Sequence, residues 1–162
     1  IANLFGLGYE QKLEEFLPLA IGSYGDNLLN ITNAYAVLNS NGGLYKPSII
    51  EKIESNNYEL IWENNFIYEK IIDRKVNNSL NNLLEKSVSE GTSIAASIKG
   101  KKIYGKTGTS DGNRDLWFIG SINNLTSGVW IGFDENKKSK LSSGNAAYFW
   151  KKFISKIYDL KI

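Results

Sequence analysis

Residues 106 to 109 of this 162-residue sequence, Lys106-Thr107-Gly108-Thr109, combine a positive charge, two hydroxyls and a glycine. Lys106 would hold a substrate carboxylate and assist proton transfer at a nucleophile, and a charge does this more strongly in a dry cleft than in water. The hydroxyls of Thr107 and Thr109 can donate to the same carboxylate. Gly108 has no Cβ, so the backbone of an extended ligand can approach closely. One interpretation of the motif is therefore a strand that pairs with a peptide.

Each of these residues also has an ordinary structural interpretation. Lys106 fits a solvated lysine on a strand, and the two threonines fit the β-propensity of branched side chains. Gly108 fits a β-bulge. The motif alone therefore leaves the peptide-binding and the purely structural interpretations open.

Two other groups of residues invite a chemical role, but their positions favour a structural one. Asp115 and Asp134 could act as paired carboxylates, yet each borders a predicted strand, where turn and capping roles are simpler. Four aromatic residues could form a ligand platform, but strand and helix spacing is typical of core positions. They are Trp117, Phe118, Trp130 and Trp150, and we predict that they lie in the core.

The composition limits the possible chemistry. The sequence has no histidine, cysteine or methionine, and its formal net charge is +2. Imidazole bases, thiolate nucleophiles and Cys-based zinc sites are therefore excluded, and we predict no cofactor and no metal. The near-neutral charge argues against nucleic acid as a partner. No apolar stretch approaches the roughly 20 residues that span a bilayer.

Three segments carry helical periodicity. Apolar residues repeat every three or four positions from Asn27 to Ser40, with Asn27 as the N-cap. A second helix is predicted from Asp73 to Ser89, with Asp73 as its cap. The third runs from Asn145 to Tyr158 and should pack on a sheet. Its predicted buried face consists of Ala146, Phe149, Trp150, Phe153 and Ile157.

Two groups of strands lie between these helices. Residues 48–54 and 58–62 are rich in β-forming residues and are separated by a plausible turn, which predicts a hairpin. Residues 102–110, 116–121 and 129–133 are joined by short turn-forming links and should form an antiparallel meander. Helices packed on an antiparallel sheet give an α+β fold.

Several further segments accompany the Lys106-Thr107-Gly108 motif in a fixed order. They are residues 19–23, 33–36, 41–43, 91–92 with 95–96, 113–120 and 128–134. Together they make nearly the whole sequence resemble the end of the class A, bifunctional penicillin-binding proteins, in which Lys-Thr-Gly on a strand is the third signature motif. The resemblance implies a partial penicillin-binding transpeptidase fold, which is β-lactamase-like.

The resemblance also implies roles for the motif. Lys106 would be a catalytic residue, and Thr107, Gly108 and Thr109 would bind the substrate, with the Thr109 backbone N–H as half of an oxyanion hole. The implied activity is that of a D,D-transpeptidase, which cross-links peptidoglycan stem peptides through an acyl-serine intermediate. The implied ligands are the stem peptide and β-lactam antibiotics.

The family's nucleophile lies in a Ser-x-x-Lys motif, and its second motif is Ser-x-Asn. No serine of this sequence has a lysine three positions later, and the Ser-x-Asn matches at Ser55 and Ser121 are attributed to coincidence. We therefore expect residues 1–162 to be the C-terminal portion of a single transpeptidase domain whose first two motifs lie upstream. The start at Ile1 fits a fragment, and we expect the chain alone to be inactive.

Two alternatives remain, together with an expected location. A serine β-lactamase or D,D-carboxypeptidase shares the Lys-Thr-Gly strand, but the element Trp117-Phe118-Ile119-Gly120 favours a transpeptidase. A non-catalytic remnant or peptide-binding module of the same fold would explain the lack of Ser-x-x-Lys. By resemblance, the parent protein would carry a glycosyltransferase domain and one N-terminal membrane helix. This portion would then lie on the periplasmic face of the inner membrane.

Overall fold

The computed structural model describes residues 1–8 and 17–159, which contain three helices and seven strands. The helices are α1 (Leu28–Asn39), α2 (Arg74–Ser89) and α3 (Ser143–Ile157). The strands are β1 (Gly43–Tyr45), β2 (Lys52–Glu54), β3 (Leu60–Glu63), β4 (Tyr68–Lys70), β5 (Tyr104–Thr109), β6 (Asp115–Ile122) and β7 (Leu125–Gly132). Short 3-10 turns occupy Ala2–Phe5, Leu17–Ile21 and Ile94–Ala96. This confirms the predicted α+β class. None of the helices in these ranges has the length and apolar character needed to cross a membrane.

The main sheet is the predicted antiparallel meander, in the order β5-β6-β7. Strand β7 begins at Leu125 rather than at the predicted Val129, because the turn Asn123-Asn124 has only two residues and pairing resumes at once. Asn123 supplies the left-handed backbone conformation that such a turn needs, with φ of 52°. The outcome is a sheet with β6 at its centre and β5 at one edge.

Helices cover both faces of this sheet. On one face, a Cβ at Gly120 would lie 2.9 Å from the ring of Trp150 in α3, so the glycine permits close helix packing. Trp150 also meets Phe118 edge-on, with 5.1 Å between ring centroids. On the other face, a Cβ at Gly128 would collide with Thr32 of α1. Helix α2 packs against β5, which also pairs with β6 and contacts α3, so three elements hold this strand.

The buried face of α3 differs from the prediction. Ala146 and Trp150 are buried as expected, but the remaining buried residues are Ala147, Ile154 and Ser155. Phe149, Phe153 and Ile157 are instead 57%, 52% and 50% exposed. The helix turns its two small alanines toward the sheet, together with Trp150 and Ile154, because the alanines allow the backbone to come close. Phe149, Phe153 and Ile157 then lie outside. The prediction failed because this helix has two apolar faces, the buried one and the exposed one formed by Phe149, Phe153 and Ile157.

The predicted hairpin and caps are largely confirmed. β2 and β3 pair antiparallel around the turn that starts at Ser55, although both strands are shorter than predicted. The strands that precede and follow this hairpin in sequence, β1 and β4, pair to form a second two-stranded sheet. Asn27 caps α1 by accepting the N–H of Asn30 at 2.8 Å. Asp73 occupies the cap position of α2 but makes no side-chain cap hydrogen bond.

Candidate substrate-binding edge

The motif residues lie on β5, which is an edge strand of the main sheet. Its register with β6 is regular, with Gly108 opposite Trp117. The N–H of Ser110 donates to the carbonyl of Asp115 at 3.0 Å. Because the pairing direction alternates along an antiparallel strand, the N–H and C=O groups of Thr107 and Thr109 point away from β6. The strand therefore offers main-chain groups along its outer edge.

The structure excludes the bulge interpretation of Gly108, since no irregularity occurs in its pairing. A Cβ at this position would lie 3.2 Å from the Cβ of Trp117, on the sheet face shared with Lys106. That distance is tight but does not force the backbone apart. The absence of a side chain leaves this stretch of the sheet face bare beside the lysine, as the peptide-binding interpretation requires.

Lys106 is exposed, and its Nζ lies 3.0 Å from the carbonyl oxygen of Thr107 and 3.5 Å from Oγ1 of Thr92. Within residues 1–8 and 17–159 it forms no salt bridge. The ammonium group is thus placed at the strand edge by neutral oxygens only. An ammonium held in this way remains available to an incoming carboxylate.

The two threonines of the motif have different surroundings. Thr107 is only 8% exposed, and its hydroxyl donates to Oγ1 of Thr92 at 3.0 Å. Its N–H donates to Oγ of Ser93 at 3.1 Å. Thr109 is exposed at the open end of the strand. Thr109 therefore presents both its hydroxyl and its outward main-chain groups.

Thr92 and Ser93 were not predicted to take part in the site. They follow the end of α2 and contact three motif groups: the Lys106 ammonium, the Thr107 hydroxyl and the Thr107 amide. The sequence contained a partial signal, because Gly91-Thr92 belongs to the segments that match the family. Their contact with β5 bridges 14 to 15 positions of sequence, and no local pattern encodes it.

The remaining candidate residues separate into core and turn roles. Phe118 and Trp150 are fully buried, which confirms the core prediction for them. Trp130 is 36% exposed and packs against Trp117 at 6.4 Å between ring centroids, so a core role is wrong for Trp130. These two rings lie on the opposite face from Phe118, because neighbouring strand residues alternate.

Asp115 has the structural role that was predicted. It accepts hydrogen bonds from the hydroxyl of Ser110 at 2.7 Å and from the indole N–H of Trp130 at 3.1 Å. Asp134 is exposed just beyond β7. No group of three or more potential metal ligands occurs in the part of the chain that the structure describes.

The sequence contains four Ser-x-Asn matches, of which those at Ser79 and Ser143 lie in α2 and α3. The matches at Ser55 and Ser121 are engaged in local structure. Ser55 closes the β2–β3 turn, where its hydroxyl accepts the N–H groups of Asn57 and Glu59 at 3.2 Å each. Ser121 is 4% exposed and shares a hydrogen bond with the hydroxyl of Thr126 at 2.9 Å. Ser121 lies at the end of β6 rather than in the turn itself.

Comparison with known proteins shows the family. The model of the penicillin binding protein transpeptidase domain matches residues 8–151, so the chain belongs to this transpeptidase family. Penicillin-binding protein 1A of Aquifex aeolicus is 34% identical over 126 residues, which cover 78% of this chain and 17% of that protein. Penicillin-binding protein 1A of Clostridium acetobutylicum is 31% identical over 152 residues, covering 92% and 19%. The chain thus spans about a fifth of the length of these relatives.

Solved structures show the same fold. The crystal structure of penicillin-binding protein 1A from Haemophilus influenzae gives a TM-score of 0.82 at 20% identity, over 99% of this chain and 30% of that chain. The PonA1 protein from Mycobacterium tuberculosis, in complex with penicillin V, gives 0.75 at 18% identity, over 89% and 42%. The partial transpeptidase fold implied by the sequence is therefore confirmed.

Proposed function

We propose that this chain is the C-terminal portion of a peptidoglycan D,D-transpeptidase domain and forms the substrate-side wall of its active site. The observation that carries the proposal is the open end of β5, where the main chain of Thr109 has no partner among residues 1–8 and 17–159 and lies beside Gly108 and the Lys106 ammonium. This arrangement fits a peptide that adds to the sheet as a further strand and ends in a carboxylate. Family membership supports the same activity.

In the proposed reaction, a serine outside these residues attacks a carbonyl of the stem peptide. The C–N bond to the terminal D-alanine breaks, and this amine leaves with a proton while the acyl-serine ester forms. The amine of a second stem peptide then attacks the ester and releases the serine. Lys106 would hold the terminal carboxylate and Thr109 N–H would stabilise the oxyanion, as both groups border the same open edge.

The same edge would receive β-lactam antibiotics, which carry a carboxylate and a reactive carbonyl of similar spacing. A chain that works on peptidoglycan acts outside the cytoplasm, so we place it on the periplasmic face of the inner membrane through its parent protein. The structure of the PonA1 protein from Mycobacterium tuberculosis in complex with penicillin V supports this ligand class.

Peptide titration tests the proposed wall directly. Adding an N-acetylated peptide that ends in D-alanyl-D-alanine to the 15N-labelled chain should shift the amide resonance of Thr109. Lys106→Gln should weaken binding about tenfold or more, because a charge-assisted hydrogen bond to the carboxylate is lost. Lys99→Gln, an exposed lysine on the loop before β5, is the matched control and should leave the affinity unchanged. Equal affinity for both variants would refute the role of Lys106.

A second candidate is a non-catalytic peptide-binding module, which the lack of Ser-x-x-Lys in these 162 residues favours. Fluorescent penicillin should leave the isolated chain unlabelled on a denaturing gel under either proposal. Adding a segment that carries Ser-x-x-Lys and Ser-x-Asn from the same genome should restore covalent labelling if the chain is part of a transpeptidase. Peptide binding without restored labelling would favour the module.

A further inference from the structure

The open edge of β5 changes character halfway along the motif. At Thr107 both outward main-chain groups are already used, since its N–H donates to Ser93 Oγ and its C=O accepts from Lys106 Nζ. At Thr109, two residues later, no residue in the described ranges takes either group. An arriving peptide therefore meets one saturated pairing position and one free position.

Ser93 reaches Thr107 because the chain folds back sharply after α2. A Cβ at Gly91 would lie 2.9 Å from both Cα and O of Ser87, so only glycine fits at this reversal of the chain without strain. The N–H of Ser93 then donates to the carbonyl of Ser87 at 3.0 Å, and the two hydroxyls lie 2.9 Å apart. Ser93 is fully buried. Its hydroxyl is therefore fixed in place by the last turn of α2.

We infer that Ser93 is a positioning residue that sets the register in which a substrate peptide pairs with β5. By saturating the amide of Thr107, it restricts pairing to Thr109. This inference rests on the proposed peptide-binding function. It adds to that function a reason why the peptide pairs at Thr109 and not at Thr107. Ser93 acts through the strand and does not touch the substrate.

The distances explain why register matters. Successive outward positions on a strand are two residues apart, which is about 7 Å. A peptide that slipped by one pairing position would move its reacting carbonyl by that distance. Attack requires the reacting atoms to be about 3–3.5 Å apart, so the slipped complex cannot react. By accepting the N–H of Thr107, the buried hydroxyl of Ser93 thus prevents the unproductive complexes in which the peptide has slipped by one pairing position.

Amide hydrogen exchange and peptide titration of the 15N-labelled chain test the inference together. In the unaltered chain, the D-alanyl-D-alanine peptide should shift the amide of Thr109 and leave the amide of Thr107 unmoved. In Ser93→Ala, the Thr107 amide should exchange about tenfold faster, because its acceptor is gone. The peptide should then shift both amides, as two registers become available.

Three controls separate the possible causes. Ser89→Ala removes an exposed hydroxyl at the end of the same helix and should change neither measurement. Ser87→Ala leaves Ser93 in place but removes its neighbour, so an intermediate rise in exchange is expected. Circular dichroism shows whether each variant keeps its fold. A Ser93→Ala chain that failed to fold would be replaced by Ser87→Ala, for which unchanged exchange at Thr107 overturns the inference.

The outcomes also distinguish this inference from the proposed function. If the peptide shifts Thr109 in the unaltered chain but Ser93→Ala gains no response at Thr107, the register role is wrong and peptide binding stands. If the peptide already shifts Thr107 in the unaltered chain, Ser93 does not close that position. If no amide responds in either chain, peptide pairing itself is refuted, and the register role is refuted with it.

Discussion

The sheet region, formed by α1, α2, β5, β6, β7 and α3, differs sharply from the hairpin region of residues 43–70. In the sheet region, six of the eight residues of β6 are buried. In the hairpin region every residue of β2, β3 and β4 is exposed. Both regions are rich in strands, but helices cover both faces of the main sheet, whereas in the hairpin region α1 packs against β1 and leaves β2, β3 and β4 exposed. Strand sequence alone therefore does not determine burial, and layers of other elements do.

The candidate site lies on the well-packed region. Lys106 and Thr109 are exposed, yet their strand is held by buried neighbours at Thr107, Phe118 and Ser93. A site that must place groups to within a fraction of an ångström gains from a rigid support. The hairpin region lacks such support, so we expect it to tolerate substitutions that the sheet region does not.

The largest difference is expected between two tryptophans. Trp150→Ala removes a fully buried ring that also donates its indole N–H to the hydroxyl of Ser127 at 2.7 Å. The free energy of unfolding should fall by about 3–5 kcal/mol. Trp62→Ala removes a ring that is 44% exposed in the hairpin and should cost about 1 kcal/mol or less. Urea unfolding followed by circular dichroism measures both, and similar losses would contradict the division into two regions.

A smaller difference is expected between two glycines that both lack room for a side chain. A Cβ at Gly105 would lie 2.6 Å from the buried ring of Phe118 and 2.9 Å from the carbonyl oxygen of Ile119. Because neither neighbour can move freely, Gly105→Ala should destabilise the chain by about 1–3 kcal/mol. Thermal unfolding of the variant measures this loss.

The matched change is Gly43→Ala in β1. Its Cβ would meet the ring of Tyr68, which is 48% exposed and can turn outward. We expect a cost below about 1 kcal/mol, since the loss of chain freedom in the unfolded state offsets part of the repulsion. If Gly43→Ala proves as costly as Gly105→Ala, exposure of the neighbouring ring does not relieve the collision.

Much of the local structure follows from sequence patterns, because the signals are short-range. Asn27 precedes an apolar period of three to four and does cap α1. The turn residues Asn123-Asn124 predict the β6–β7 connection, which a two-residue turn makes. The motif strand was predicted at residues 102–110 and spans Tyr104–Thr109, because turn-forming residues 111–113 mark its end.

The parts that escaped prediction depend on contacts between distant residues. The buried face of α3 was misplaced because Ala147 carries little hydrophobic signal, although its small size is what allows the helix to approach the sheet. The pairing of Gly43 with Lys70 encloses the whole hairpin, and no local pattern specifies it. The closure of Thr107 by Ser93 is of the same kind.

The smallest effect is expected for the ion pair of the hairpin. The Lys52 ammonium donates to the carboxylate of Glu54 at 2.9 Å, and this hydrogen bond, with the negative charge of Glu54, raises the pKa of Lys52 above its usual 10.5. A raised folded-state pKa adds stability below pH 10.5, and this contribution is lost as the pH rises through the folded value. The pair is exposed, so solvent and salt screen it.

We therefore expect Lys52→Gln to unfold at the same urea concentration as the unaltered chain, within error, at pH 8 and at pH 11. Lys99→Gln serves as the reference for losing one exposed positive charge. A loss of stability for Lys52→Gln that is present at pH 8 and absent at pH 11 would show that the pair contributes in the direction given by its pKa. That result would also mean that ion pairs stabilise the hairpin region more than its exposure indicates. The two regions would then differ in the kind of interaction that stabilises them rather than in how stable they are.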